Sequence, residues 1–307
     1  MARIIVPPIK TQGIKTKLVP WIQEHVLLEE GGTWIEPFMG SGVVGFNIRP
    51  EKAIFSDSNP HIIKFYQDVN AGKITAGIVR SFLEEEGEKL KEKGKEFYYE
   101  VRERFNEKHE PLDFLFLNRS CFNGMIRFNR KGGFNVPFGH KPERFSKSYV
   151  TKIVNQVKDV EELCRLNKWE FHCQDFKETF SLATEKDFIY CDPPYEGRHA
   201  DYFNAWDAET DRKLFELLSE TKAKFILSTW HSNEHRENKR IDEYWNNFHI
   251  ITRDHFYHLG AKEKNRKPML EALVMNTKPV ERKQPSYQAK QHVQPQLFEK
   301  SSEYKTE

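Results

Sequence analysis

The stretch Asp187-Phe188-Ile189-Tyr190-Cys191-Asp192-Pro193-Pro194-Tyr195 decides how the chain is read. Its first half is short and mostly apolar, the pattern of a buried strand, and proline cannot continue a central strand, so the strand ends at Asp192. In an open α/β sheet, ligands sit beyond the carboxyl ends of the strands. A rigid loop there presents one carboxylate, backbone carbonyls that no ladder claims, and one aromatic face. That set suits an exocyclic aromatic amine. Asp192 and a carbonyl of Pro193 or Pro194 can accept its two N–H bonds, and Tyr195 can stack on the ring. Two prolines after a strand also make an ordinary turn, so the flanking chain has to decide.

Upstream, Thr33-Trp34-Ile35-Glu36-Pro37-Phe38-Met39-Gly40-Ser41-Gly42-Val43-Val44-Gly45 reads as a strand, a glycine turn and a helix. Gly40, Gly42 and Gly45 satisfy G-x-G-x-x-G, which admits a nicotinamide-type dinucleotide site and an oxidoreductase. The next strand, Lys52 to Ser56, ends at Asp57-Ser58-Asn59. An acid at that tip is placed to bond the ribose hydroxyls of any adenosine-bearing cofactor. Asn59 is the better cap for a helix beginning at Pro60, which leaves Asp57 for the ribose. Earlier still, Lys10-Thr11-Gln12-Gly13-Ile14-Lys15 precedes a helix expected over Leu18 to Leu28. Lysines around a glycine before a helix suit an anion such as a carboxylate; a solvated basic N-terminus is the alternative.

From Gly72 to Glu110 the chain is helical and rich in both charges. Glu84-Glu85-Glu86 and the lysines at 89, 91 and 93 predict a solvated face over a stripe of Phe97, Val101 and Phe105. The character changes from Asn118 to Lys152. Eight Lys or Arg from Arg119 to Lys152 stand against one acid, Glu143, a local net charge of +7. Phe122, Phe128, Phe134 and Phe138 alternate there with Asn123, Asn129, Asn135 and several glycines. Cations neutralise phosphates, Arg and Asn address base edges, and an aromatic side chain can wedge into a base stack. Further on, a strand over Trp169 to Cys173 ends at Asp175-Phe176, and Asp207 caps a helix over Ala208 to Thr221. Strands are expected over Lys224 to Thr229, Phe248 to Tyr257 and Met269 to Asn276, and disorder from Lys278 onward.

Composition bounds the reading. The 307 residues hold 38% hydrophobic and 13% aromatic side chains, enough for one large core or two ordinary ones. Net charge is only +2, so a nucleic-acid footprint has to be local, as it is between 119 and 152. Cys121, Cys164, Cys173 and Cys191 show no C-x-x-C spacing, which argues against a zinc site and a disulfide framework. No signal-peptide core and no run of 18 apolar residues occurs, so a cytoplasmic protein without a membrane span is expected.

In their order along the chain, these motifs resemble the adenine-N6 DNA methyltransferases of the α group, the Dam-like D12 class. The resemblance rests on Lys10-x-x-Gly13-x-Lys15, on Glu36-Pro37-Phe38-Met39-Gly40-Ser41-Gly42, on Asp192 to Tyr195, and on the basic insert. The insert carries Asn118-Arg119-Ser120-Cys121-Phe122-Asn123-Gly124 and Phe134-Asn135-Val136-Pro137-Phe138-Gly139, its most specific signatures. Thr11 and Ile14 depart from the family's K-W-A-G-G-K. The resemblance implies a Rossmann-like α/β sheet with an inserted, mainly helical target-recognition domain. Residues 1–70 and 153–277 would form the catalytic domain, 71–152 the insert, and 278–307 a disordered tail. It implies S-adenosyl-L-methionine as cofactor and no metal. The adenosine would lie over Pro37, Phe38, Gly40, Ser41 and Gly42, with Asp57 and Ser58 at the ribose. Asp175 and Phe176 would hold the adenine, Lys10, Thr11 and Lys15 would lie near the methionine end, and Asp192 would also border the cofactor. The partner implied is double-stranded DNA, its target adenine flipped toward Asp192, Pro193, Pro194 and Tyr195. Arg119, Phe122, Asn123, Arg127, Asn129, Arg130, Lys131, Asn135, Pro137 and Lys141 are the candidate DNA-binding residues. Among them Arg127 would read a guanine, and Phe122 or Asn123 would fill the space the adenine leaves. An RNA substrate remains an alternative. A short site such as GATC and a cognate restriction endonuclease complete the expectation. In the tail, Gln294-Pro295-Gln296-Leu297-Phe298 resembles the peptides that dock on replication sliding clamps, although a Gln-rich tail also produces such a match by chance.

Overall fold

The structure, a computed structural model, describes residues 3–194, 206–234, 236–256 and 268–280. Its centre is a mixed sheet. The strands β1 (Trp34–Glu36), β2 (Lys52–Asp57), β3 (Lys168–Cys173), β4 (Phe188–Cys191) and β5 (Lys224–Asn233) run parallel. A two-residue β6 (Arg236–Glu237) folds back on β5, and β7 (His249–Phe256) and β8 (Pro268–Met275) complete the far edge antiparallel to their neighbours. The order across the sheet is β3-β2-β1-β4-β5-β8-β7. This is the Rossmann-like α/β class.

Strand periodicity sorts the sheet into two cores. Trp34, Phe188, Tyr190, Ile226, Leu273 and Met275 face one side. Ile35, Ile189, Cys191, Phe225, Leu227, Ala272 and Val274 face the other. On the first side Trp34 stacks on Phe188, 5.6 Å between ring centroids and 3° between planes, and on Tyr190 at 5.8 Å. The same parity puts Glu36, Asp192 and Glu271 on that first side.

Helices α1 (Val19–Gln23), α2 (Val43–Ile48) and α3 (Pro60–Asn70) accompany the first strands. The insert follows as α4 (Ala76–Lys93), α5 (Lys95–Lys108), α6 (Pro111–Ser120) and α7 (Lys147–Leu166). Its core is continuous with the first face of the sheet: Phe97, Tyr98, Phe105, Phe114 and Val157 belong to the same buried cluster as Trp34. On the second face lie α8 (Phe176–Phe180), α9 (Ala208–Glu220) and α10 (Lys239–Tyr244). Among the described residues no helix is long and apolar enough to cross a membrane.

Several sequence expectations need adjusting. The first helix ends at Gln23, not Leu28, because its last bonds tighten to the i→i−3 spacing (His25 N–H to Ile22 O, Val26 N–H to Gln23 O). The 152/153 boundary falls inside one unbroken helix, α7. The acidic run at 84–86 is not wholly solvated: Glu86 is buried and accepts from Arg104 and Lys89, and Arg104 also pairs with Asp113. Two caps fall where expected. Asn59 accepts from the His61 and Ile62 amides at the start of α3, and Asp207 from the Thr210 amide in α9.

Gly45 belongs to α2, but its importance is packing. A Cβ there would lie 2.3 Å from Phe55 Cε1 and 2.6 Å from Glu36 Oε2. Gly77, in the first turn of α4, has only Thr75 Oγ1 nearby, at 3.8 Å. Urea unfolding should therefore show Gly45→Ala destabilised by about 1–3 kcal/mol. Gly77→Ala should be neutral or stabilised by up to about 1 kcal/mol. A neutral Gly45→Ala would contradict this packing.

Candidate active site

The strand order reverses between β1 and β4, and a cleft opens at the carboxyl ends there. β1 runs into Pro37-Phe38-Met39-Gly40 and β4 into Asp192-Pro193-Pro194. Between them lies a cavity of about 420 Å³, lined also by Thr11, Lys15, Ser58, Asp175, Phe176 and Trp206. The β1 turn is tight. Gly40 and Gly42 have φ of +49° and +76°, and the Gly42 amide donates to Met39 O at 2.7 Å. Asp57 braces this turn from β2, its Oδ2 accepting the Gly40 amide and its Oδ1 the Asn59 amide, both at 2.9 Å. Burial raises the Asp57 carboxyl above the usual carboxylate range, against those two bonds.

Three rings make one wall. Phe38 lies 5.3 Å from Phe176 and meets Trp206 edge-on at 5.5 Å, and Phe176 and Trp206 are 5.8 Å apart. Asp175 caps α8 through the Lys177 amide, which seats Phe176 at this wall. Aromatic faces, a carboxylate on a glycine turn and a buried cation line one cavity, a donor set that fits an adenosylated group carrying an amino acid.

The deep end is charged. Lys15 Nζ stands 3.2 Å from Asp192 Oδ1 and 3.7 Å from Glu271 Oε2. Lys15 is 3% exposed and Glu271 is fully buried, whereas a quarter of the Asp192 side chain is open to solvent. Burial pushes the Asp192 carboxyl up to about 6; Lys15 opposes the shift and Glu271 adds to it. Next to this group Glu36 is wholly buried, accepting from Trp34 Nε1 at 2.9 Å and the Gly45 amide at 3.1 Å. Burial pushes its carboxyl up to about 8, so it is protonated at neutral pH. Neither Glu36 nor Glu271 was assigned a role from the sequence. A charge inside an apolar strand, Met269-Leu270-Glu271-Ala272-Leu273, was the available signal for Glu271.

Of the sequence-selected residues, Thr11, Lys15, Pro37, Phe38, Gly40, Ser41, Asp57, Ser58, Asp175, Phe176, Asp192 and Pro194 line the cavity. Lys10, Gly42 and Pro193 do not line it. Lys10 is held against the insert instead. Its amide donates to Asn118 Oδ1 and its carbonyl accepts from Asn118 Nδ2, while Nζ lies 5.9 Å over the Tyr149 ring. Tyr195 and the 294–298 peptide lie outside the described residues.

The insert departs more from expectation. Arg119 is 2% exposed, donating to Pro8 O at 2.6 Å and to Gln156 Oε1, so its guanidinium serves the interior and not a phosphate. Phe134 and Phe138 are buried and Phe128 stacks on His61 at 4.9 Å, so these rings anchor the loop. Phe122, at 47% exposed, is the ring left outside. Residues 128–134 close into a small hairpin. Asn129 Oδ1 accepts the Lys131 and Gly133 amides at 2.9 and 3.0 Å, presenting Arg130 and Lys131 at the exposed tip. Arg127 is half-buried, its Nε donating to Asn135 Oδ1 at 2.7 Å and a terminal nitrogen to Asn135 O at 3.1 Å. Asn123 adopts φ +54° beside the exposed Phe122, Pro137 O accepts the Phe122 amide, and Lys141 is exposed.

The model of the D12 class N6 adenine-specific DNA methyltransferases matches residues 12–259. A DNA adenine methylase of Vibrio cholerae is 35% identical over 193 residues, 61% of this chain and 64% of that protein. The type II methyltransferase M.MjaIII of Methanocaldococcus jannaschii is 32% identical over 249 residues, 72% of this chain and 83% of that one. The type II methyltransferase M.FokI of Planomicrobium okeanokoites is 27% identical over 281 residues, 88% of this chain and 42% of that one. The chain thus spans just under two thirds of the length of the Vibrio protein.

Glu36 gives a pH test of this site. Its carboxyl is raised from 4.5 to about 8 in the folded protein. Between those values the folded state holds a proton that the unfolded chain releases, so the contribution of Glu36 to stability falls as pH rises through the window. In Glu36→Gln the amide does not titrate. Urea unfolding should show the variant gaining on the wild type across that window, by an amount on the order of a few kcal/mol. Parallel stability curves for the two proteins would contradict the buried, protonated carboxyl.

Proposed function

The chain belongs to the D12 class N6 adenine-specific DNA methyltransferases, and from that premise we propose that it moves the methyl group of S-adenosyl-L-methionine to N6 of an adenine turned out of double-stranded DNA. One observation carries this reading: Asp192 and Pro194 share a single cavity with Asp57 and the Phe38–Phe176 wall. The group an amine must meet and the group that must carry the methyl therefore have adjoining places.

When bound there, S-adenosyl-L-methionine supplies an electrophilic sulfonium methyl. The chain's own residues supply position and electrostatics. Phe38, Phe176 and Trp206 flank the purine, Asp57 meets the ribose hydroxyls, and the Gly40–Gly42 turn lets the backbone approach closely. The Asp192 carboxylate and a carbonyl of Pro193 or Pro194 accept the two N6 hydrogens of the target. Donating two hydrogen bonds to these acceptors draws N6, with both protons still on it, toward tetrahedral geometry and frees its lone pair. The stacking partner that the family resemblance assigns to the flipped base is Tyr195. N6 sheds a proton after the new bond forms, and no strong base is required. Arg130, Lys131 and Lys141 contact phosphates, and Phe122 or Asn123 enters the gap left by the adenine.

The names of the relatives, DNA adenine methylase and type II methyltransferase, support either host modification or a restriction–modification pair, in which the endonuclease is a functional partner. A short site such as GATC is the expected target. Either role would be carried out in the cytoplasm.

Asp192→Ala should lower methyl-transfer turnover by at least a hundredfold, while calorimetry with S-adenosylhomocysteine shows binding retained. In the wild type the rate should fall away below pH about 6, where Asp192 takes up a proton. A variant keeping a tenth of wild-type turnover would remove Asp192 from the chemistry.

The insert predicts a second separation. Asn135 fixes one edge of the Arg127 guanidinium, leaving donors for the O6/N7 edge of a guanine. Arg127→Ala should cost about 1–3 kcal/mol at one base pair and relax discrimination there. Arg130→Ala and Lys131→Ala should weaken every sequence alike and flatten the salt dependence. Methylation rates on duplexes substituted one base pair at a time decide between these. If Arg127→Ala slows all substrates by one common factor, Arg127 carries no sequence information.

A further inference from the structure

We propose that Glu271 is a positioning residue for this reaction: from β8 it holds the Lys15 ammonium in a bridge to Asp192, so that Lys15 fixes Asp192 without belonging to it alone. The proposal rests on the reading of the site as a methyltransferase centre.

Lys15 comes from a segment outside any helix or strand, and its stem has four rotatable bonds. One carboxylate would tether such an ammonium loosely. Two carboxylates, one within β8 and one just past the end of β4, fix it. Glu271 is built for that task and not for packing. It is fully buried in the middle of β8, between Leu270 and Ala272, in register with Trp230 of β5 and Arg253 of β7. Strand parity turns it to the same face as Tyr190 and Asp192, where Lys15 Nζ lies 3.7 Å away. A carboxylate at that depth is costly unless it meets a cation.

The sharing has a chemical consequence. In a one-to-one pair the ammonium draws electron density from the Asp192 oxygens and weakens them as acceptors for N6–H. A second carboxylate on the same ammonium returns that density. The titratable and charged groups around Asp192 among the described residues are Lys15 from the N-terminal segment, Glu271 from β8, Glu36 from β1, and Tyr190 and Cys191 from β4. Lys15 is the cation of this set, and Glu271 is its other carboxylate partner.

The test reads Asp192 itself. In the full chain without DNA, its carboxyl is titrated by NMR with ¹³C-labelled aspartate and assigned with Asp192→Asn. Glu271→Gln should move the titration down by about half a pH unit or more, and Lys15→Met should move it up. Glu271→Met, similar in volume and apolar, should repeat the downward movement if the amide is not accommodated. The acid limb of the methylation rate should shift with each. Loosened packing would carry all the variants in one direction. Folded Glu271 variants whose Asp192 titrates as in the wild type, or moves upward, overturn the proposal. A chain that did not methylate DNA would refute the proposed function and leave this titration able to decide the role of Glu271.

Discussion

A single ammonium organises the site. Lys15 Nζ reaches Asp192 at the end of β4 and Glu271 inside β8, and Glu36 at the end of β1 is buried on the same face. Three acids on one face of a sheet cannot all carry charge out of water. The structure resolves this by giving two of them one cation and leaving Glu36 protonated, held by Trp34 Nε1 and the Gly45 amide. Much of the neighbouring architecture follows. Gly45 has no side chain because Glu36 and Phe55 occupy its place, and the switch point between β1 and β4 stays open because the strands end in a glycine turn and in prolines.

The insert divides its residues differently from what its composition suggests. Most of its phenylalanines are structural. Phe134 and Phe138 are buried, and Tyr98 donates to Val136 O at 2.7 Å, holding the returning strand of the loop. Arg119 ties α6 to the N-terminal segment through Pro8 O, and Asn118 does the same through both backbone groups of Lys10. These anchors leave Phe122, Arg130, Lys131 and Lys141 on the outside. The insert is therefore a rigid mount with a few presented side chains, fixed to the segment that carries Lys15 into the cavity.

The strands and two of the three rings of the cavity wall, Phe38 and Phe176, were legible because each has a local cause, whereas Trp206 read only as the start of a helix. Prolines stop β4, glycines turn β1, Asn59 caps α3, and Asp175-Phe176 follows β3 after a single residue. What sequence could not supply was partnership at a distance. Arg119 looks like any other cation until Pro8 and Gln156 are seen beside it, 111 and 37 positions away. Glu86 belongs to a solvated run by composition, and only the approach of Arg104 makes it buried. Glu271 was visible as a charge inside an apolar strand, but its meaning depends on Lys15, more than two hundred positions earlier in the chain. Lys10 and Lys15 flank the same glycine, yet one is held by the insert and the other enters the cavity.

The proposed activity requires that the cleft between β1 and β4 act on the amine of adenine. The most direct measurement is mass spectrometry of nucleosides from unmethylated duplex DNA incubated with the protein and S-adenosyl-L-methionine. N6-methyl-2′-deoxyadenosine should be the methylated nucleoside, formed in proportion to enzyme turnover. Methylcytosine in its place, or no methylated nucleoside from active, folded protein, would contradict it.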